Sequence, residues 1–283
     1  MSYCFSPRLS AQTGFGSNGI LSSLSPSTWL AVESELQPVD LQMGTALHEA
    51  GLPFRHVYFP TTAVISLVSP LSDGNGAEVA VVGSEGVVGL GACMGAVSAH
   101  DTSLVQAAGR AWRMPAASFE QLTWRHEDLM RPALRFGQAL MTHIAQTSAC
   151  NCRHKLEQRM CRWILCLLDR QADKDILVTH ERIAAMLGVR REGITTAAAR
   201  LQAQGVIRYS RGHLQVVDRA GLEASSCECH AVLRAAHESL MDEPQTNDDA
   251  WPLSALQHGS NGNVRPIAPY RKAARPALAS HGV

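Results

Sequence analysis

The chain has 283 residues, 25 Lys+Arg against 25 Asp+Glu, a formal net charge of zero and 46% apolar residues. That composition is globular, and the length suits roughly two domains at about 150 residues each. It excludes three classes: no run of about 18 uncharged apolar residues could cross a membrane, Met1–Gly19 lacks the basic start and apolar core of a secretory leader, and 8 cysteines are too few for a disulfide scaffold. A reduced, cytoplasmic protein with free thiols and no membrane partner is expected.

In chain order, residues 1–25 are rich in Ser and Gly and read as a disordered leader. Residues 26–52 look helical, with Ser27 or Thr28 as cap and Trp29, Leu30, Val32 and Leu36 at partial helical spacing. Short strand candidates follow: Phe54–Phe59 ending at Pro60, Ala63–Val68, Ala77–Val82, Thr102–Ala107 and Gly109–Met114. Asp73-Gly74-Asn75-Gly76 is a strong turn signal between two of them. Short strands with glycine turns over about 54–118 predict a small antiparallel barrel or jelly roll, within a domain spanning 26–128.

From Phe119 the pattern becomes helical. Leu134, Met141, Ile144 and Ser148 recur at helical spacing within Pro132–Ala149, and Pro132 fits a first turn. A long apolar seam of this kind can sit between two subunits, so 129–152 reads as a dimerisation helix. A second helix runs from about Arg153 to Arg170, with Leu156, Met160, Trp163, Ile164, Leu167 and Leu168 on one face. It opens a domain over 153–237, whose last helix is expected at 219–237. Residues 238–283 read as a disordered tail. The fold class is α+β.

The zero net charge is a cancellation. Residues 153–219 hold 13 basic and 7 acidic groups, whereas residues 1–125 hold 5 and 9. A compact module of net +6 is the footprint of a DNA-binding domain. Within it, Thr179 can cap a helix whose inner face is Ile183, Ala184 and Leu187. Gly188 supplies a left-handed turn, and a second helix follows over about Arg191–Gln204 with Ile194, Ala198 and Leu201 inward. That is a helix-turn-helix, with Thr179, His180, Arg190, Arg191, Glu192, Thr195, Thr196 and Arg200 as DNA-contacting candidates. Two strand-like runs flank Ser210-Arg211-Gly212 and predict a wing from which Arg208, Ser210, Arg211 and His213 reach phosphates. Double-stranded DNA is the expected partner. No phosphate loop, serine elbow or catalytic cysteine arrangement occurs, so no catalytic residue and no enzyme activity is expected.

These residues resemble the Crp/Fnr superfamily of bacterial transcription regulators over about 25–230. Val178–Val217 looks like its winged helix, and His154–Arg159 with Arg162-Trp163 like the start of its DNA-binding domain. Val81–Gly89 looks like the glycine-rich part of its cyclic-nucleotide-binding-like barrel. The resemblance implies a homodimer on a pseudo-palindromic site with recognition helices about 34 Å apart, RNA polymerase as a partner, and a small-molecule or redox effector. Gly83, Glu85, Gly86, Asp101 and Thr102 would line its pocket. Two departures stand out. Asp101-Thr102 occupies the place of the Arg-Ser or Arg-Thr pair that clamps a cyclic phosphate, and a carboxylate there would repel it. In the recognition helix, Thr196 stands where the best-known members carry a second Arg, next to Arg191 and Glu192, so the preferred half-site should differ.

The cysteines give an alternative, a thiol- or metal-responsive sensor. Cys150-x-Cys152 falls on a helix, where i and i+2 point apart and cannot chelate together. Cys227-Glu228-Cys229-His230 in an extended segment could present both thiols, and zinc pairs more often show C-x₂₋₄-C. The family's iron–sulfur members use a clustered N-terminal cysteine set, and here the leader has Cys4 alone. The leading expectation is no cofactor and no metal ligand set.

Overall fold

Short apolar and β-branched runs build two antiparallel sheets in the first half of the chain. One has the order β1-β7-β3, from β1 (Gln37–Leu41), β7 (Gly109–Pro115) and β3 (His56–Pro60). The other has the order β2-β6-β4-β5, from β2 (Ala46–His48), β6 (Thr102–Ala107), β4 (Val64–Pro70) and β5 (Gly76–Val82). The computed structural model describes residues 17–171 and 175–241. Between the sheets lie Val57, Phe59, Ile65, Val105 and Met114, each fully buried. Burying a side chain such as Phe59 contributes about 1.5–3 kcal/mol. The five strand candidates of the sequence all form, and the 73–76 turn joins β4 to β5.

Two expectations at the N-terminal end are corrected. The helix expected over 26–52 is only α2 (Pro26–Glu33), with Ser25 as its cap. Beyond it Val39 and Leu41 point the same way along β1, which pairs with β7, and sheet pairing overrides the weak helical spacing. Residues 17–25 are also ordered, because Asn18 is stitched in. Its amide donates to the carbonyls of Pro60 (2.9 Å) and Gly86 (2.8 Å), and its Oδ1 accepts from Ile20 and Leu21 at the start of α1 (Gly19–Ser22). The rest of the expected leader, residues 1–16, lies outside the described residues.

After α3 (Ala116–Arg125) comes α4 (Glu127–Arg153), 27 residues long, about 40 Å at 1.5 Å per residue. Glu127 and Asp128 in its first turn favour the helix dipole. Pro132, expected in a first turn, stands inside the helix instead and forfeits the bond to the Asp128 carbonyl. Leu129, Ala133, Phe136, Ala139, His143, Thr147 and Cys150 form the buried face. Leu134 and Met141, both 56% exposed, and Ile144 at 37% form a second apolar stripe.

Extended backbone at His154 and Lys155 separates α4 from α5 (Leu156–Leu168). α5 is buried almost all round and centres a second core with α6 (His180–Leu187), α7 (Arg191–Ala203), β9 (Ile207–Ser210) and β10 (His213–Val216). β8 (Asp175–Leu177), not anticipated, adds a third strand in the order β8-β10-β9. The single helix expected at 219–237 is two, α8 (Arg219–Ser225) and α9 (Cys229–Met241), broken at 226–228. Residues 238–241 of the expected tail therefore belong to α9, and 242–283 lie outside the described residues.

Candidate nucleic-acid interface

The helix-turn-helix follows from local chemistry. Thr179 Oγ1 accepts from the Arg182 amide at 3.2 Å and caps α6. Gly188 sits at φ 61°, ψ 45°, a left-handed turn that costs a side-chain-bearing residue about 1–2 kcal/mol. α7 then turns Ile194, Ala197, Ala198 and Leu201 into the core. Arg191, Glu192, Thr195 and Thr196 are exposed on its first turns, with Arg190 just ahead and Arg200 in the last turn. Thr195 and Thr196 donate back to the carbonyls of Arg191 and Glu192. Arg191 has a long contact of 3.9 Å with Glu181, both exposed, and Arg200 a 3.8 Å contact with Glu157. Such surface pairs are worth about 0–1 kcal/mol and yield readily to a phosphate or base.

The wing is a two-residue hairpin. Ser210 pairs with His213, and Arg211 (φ 48°) and Gly212 (φ 82°) both take positive φ, as a tight type I′ turn requires. Ser210, Arg211 and His213 are exposed at its tip. Sequence reasoning missed how His180 is held. Its ring stacks on Tyr209 at 4.2 Å, with Nδ1 3.1 Å from Thr195 Oγ1. Burial, then the Arg191 charge, keeps its pKa below the ordinary value. Tyr209 in turn donates to the Val178 carbonyl at 2.9 Å. His180 and Thr179 thus brace the surface, while Arg190, Arg191, Glu192, Thr196, Arg200, Ser210, Arg211 and His213 are free to face a partner.

The helix-turn-helix module is also bolted to the sheets. Arg182 of α6 donates to Gln106 Oε1 and the Val105 carbonyl, both at 3.1 Å. Arg170, just past α5, bonds Glu85 at 2.7 Å, with 5% and 15% of the two side chains exposed. Burial works against the Glu85 carboxylate, but Arg170 and His237 hold its pKa below the usual range.

The five expected effector residues do not converge. Val68 pairs with both Thr102 and Glu78, and Ile65 with Val82. Thr102 and Gly83 therefore lie at opposite ends of the sheet. Glu85 is taken by Arg170, and Thr102 Oγ1 accepts from the Ala50 amide. A Cβ on Gly86 would fall 2.1 Å from Phe136 Cε2, so that glycine seats the long helix. A Cβ on Gly83 would fall 2.9 Å from Arg170 Cγ. Asp101 precedes β6 and is half-buried. The glycine-rich segment thus serves packing between elements here.

Two buried titrating groups have opposite signs. Burial, then the Arg170 charge, pushes His237 down to about 4, with His143 and Glu85 also facing it. Burial pushes Glu78 up to about 7 among Ser66, Arg162 and Arg170. Unfolded, His237 takes its proton near 6.5, so its contribution to stability is lost as pH falls from there toward 4. Unfolded, Glu78 ionises near 4.5, so its contribution is lost as pH rises toward 7. Relative to wild type, His237→Gln should gain stability between about pH 7 and about pH 5, and Glu78→Gln should lose it, each on the order of 1–3 kcal/mol. Urea unfolding across that range checks the two slopes; slopes of equal sign would contradict them.

Among the described residues the cysteines fall into two buried sets and one exposed thiol. Cys93, Cys161 and Cys166 are buried, and burial raises their thiols to about 11, 12 and 11, which makes them unreactive. Cys150, Cys227 and Cys229 cluster together with His154, and Cys152 is exposed outside the cluster.

Residues 158–225 match the Crp-like helix-turn-helix domain family. Among solved structures, the chain is similar to a protein described as a Crp/Fnr-family regulator from Eubacterium rectale, at 17% identity and a TM-score of 0.59 over 71% of this chain and 94% of that one. It is similar to FixK2 from Bradyrhizobium japonicum, at 16% identity and 0.59 over 68% and 98%. A CRP-family transcriptional regulator from Thermus thermophilus gives 21% and 0.57 over 66% and 96%. No curated protein matches. No helix among the described residues is long and apolar enough to cross a membrane. Residues 158–225 thus match the Crp-like helix-turn-helix domain, and the chain has the fold seen in these Crp/Fnr-family structures.

Proposed function

We propose that the chain is a sequence-specific DNA-binding regulator, not an enzyme, acting as a homodimer on a pseudo-palindromic site in the cytoplasm. The observation that carries this is the exposed set Arg190, Arg191, Glu192 and Thr196 on the first turns of α7, beside Arg211 at the wing tip. Arginine forks suit guanine edges and glutamate suits a cytosine amine. Dimerisation is supported by the stripe Leu134, Met141 and Ile144, spaced by 7 and 3 residues and exposed in one chain. Independence of cyclic nucleotides is supported by Asp101 at the expected clamp position and by Glu85 being engaged with Arg170. The effector is a small molecule or redox signal, and RNA polymerase is the further partner. A signal reaching the sheets would act through α4 and through the Arg182 contacts, altering the spacing of the two recognition helices.

Sedimentation and fluorescence anisotropy on a palindromic duplex test this reading. A dimer is expected, with log affinity falling against log salt at about −0.9 per phosphate neutralised and unchanged by cAMP or cGMP. Met141→Glu should give monomers and lose more than about 100-fold in affinity, since one half-site contact set then acts alone. Salt-insensitive binding, or tightening by either nucleotide, would contradict it.

A further inference from the structure

We infer that Cys150, His154, Cys227 and Cys229 form a closed Cys₃His zinc site at the joint between the long helix and the DNA-binding domain. The four ligand atoms lie within 4.8 Å of one another. Cys150 Sγ is 3.6 Å from Cys227 Sγ, and Cys229 Sγ is 3.4 Å from His154 Nδ1. Zinc bond lengths of about 2.3 Å to sulfur and about 2.0–2.1 Å to nitrogen set tetrahedral edges of about 3.8 Å and about 3.6 Å. The two contacts match those edges. An iron–sulfur cluster, with several metal atoms between its ligands, would hold them further apart.

The fold gathers these groups from three places. Cys150 closes the buried face of α4, His154 is its C-cap, Cys227 lies in the break before α9 and Cys229 opens α9. The three thiols are 0%, 6% and 0% exposed and form a cluster apart from both apolar cores. The surroundings suit an ion better than thiol packing alone. His154 Nε2 lies 3.3 Å from Glu228 Oε1, which leaves Nδ1 for the metal in the carboxylate–histidine–metal arrangement. Gln146 Nε2 donates to Cys229 Sγ at 3.0 Å. Arg162 is only 3% exposed. It donates to Thr147 Oγ1 and its Nε has no partner. Thr147 lies one helical turn before Cys150 on the same buried face of α4. Three thiolates, one imidazole and Zn²⁺ carry a net charge of −1, a counter-charge for that buried guanidinium. Four soft N/S donors with no open position suit a structural ion. Such an ion would pin the start of α9 to the end of α4, where the chain turns into the DNA-binding domain.

The test uses the full chain, purified without chelator. Plasma mass spectrometry should find about one zinc per chain, and cobalt substitution should give the thiolate charge-transfer and tetrahedral d–d bands of such a site. Cys152→Ser should keep the zinc. Cys229→Ser should weaken it by more than about 100-fold in competition with a chromophoric chelator, beyond the loss typical of an outer-shell partner. Alkylation of the wild-type protein removes dependence on variant folding: Cys152 should label at once, and Cys150, Cys227 and Cys229 only after chelator is added. Absence of stoichiometric zinc after anaerobic reconstitution with Zn²⁺, labelling indifferent to chelator, or a Cys150–Cys227 disulfide in its place would overturn the site.

Discussion

Replacing Arg191 with alanine is expected to weaken each half-site by about 1–3 kcal/mol, about 5- to 150-fold, and to erase discrimination at one base pair. Arg191 is the first residue of α7 and is exposed. Its contact with Glu181 is 3.9 Å, with both side chains more than half exposed, so the free protein loses little when it goes. Alanine is also a good helix former, so the thermal midpoint should hold. The loss is then attributable to DNA. In a symmetric dimer it counts twice. Anisotropy against a panel of single-base variants checks the specific claim: wild type distinguishes them at the position Arg191 reads, and the variant does not. Arg211→Ala serves as contrast, since a wing-tip phosphate contact should weaken all sequences alike and lower the salt slope by about 1 per subunit. An unchanged footprint for Arg191→Ala would end the assignment of α7 as the reading helix.

Arg170→Ala should lower stability by about 3–5 kcal/mol, as much as truncating a large core side chain. It leaves the Glu85 carboxylate buried without its partner and removes the bond from Arg170 to the Cys166 carbonyl. Removing both charges should cost far less, because the desolvation penalty goes with them; Arg170→Met with Glu85→Met is expected to recover most of the loss. Urea unfolding of the two singles and the double closes the cycle. A double variant as unstable as Arg170→Ala would show that the residue acts by packing and not by charge.

Much of this architecture was legible in the sequence because its signals were strong and local. The strands beyond Phe54 are short alternating or β-branched runs set off by turn residues, and the Thr179–Gly188 run carries cap, inner face and turn in ten residues. What stayed hidden depends on distant partners. β1 has a weak apolar pattern and exists because β7 offers it a ladder. The order at 17–25 rests on distant partners: the Asn18 amide reaches Pro60 and Gly86, the Gly19 amide bonds the Ser84 carbonyl, and Ile20 and Leu21 enter the first core. The effector residues were grouped by motif resemblance, and strand register separates them. Adjacency in sequence suggests the pairs Cys150/Cys152 and Cys227/Cys229. Cys150 instead meets Cys227, 77 residues away, while Cys152 points outward as its helical offset from Cys150 dictates.

The contact between Gly86 and Phe136 gives the joint between sheets and long helix a discrete character. The ring is 1% exposed and lies where any side chain on residue 86 would have to be. Close-packed interiors do not deform continuously. A helix keyed into a notch in this way is held against sliding along the sheets, because any shift of α4 must first lift one aromatic ring out of its seat.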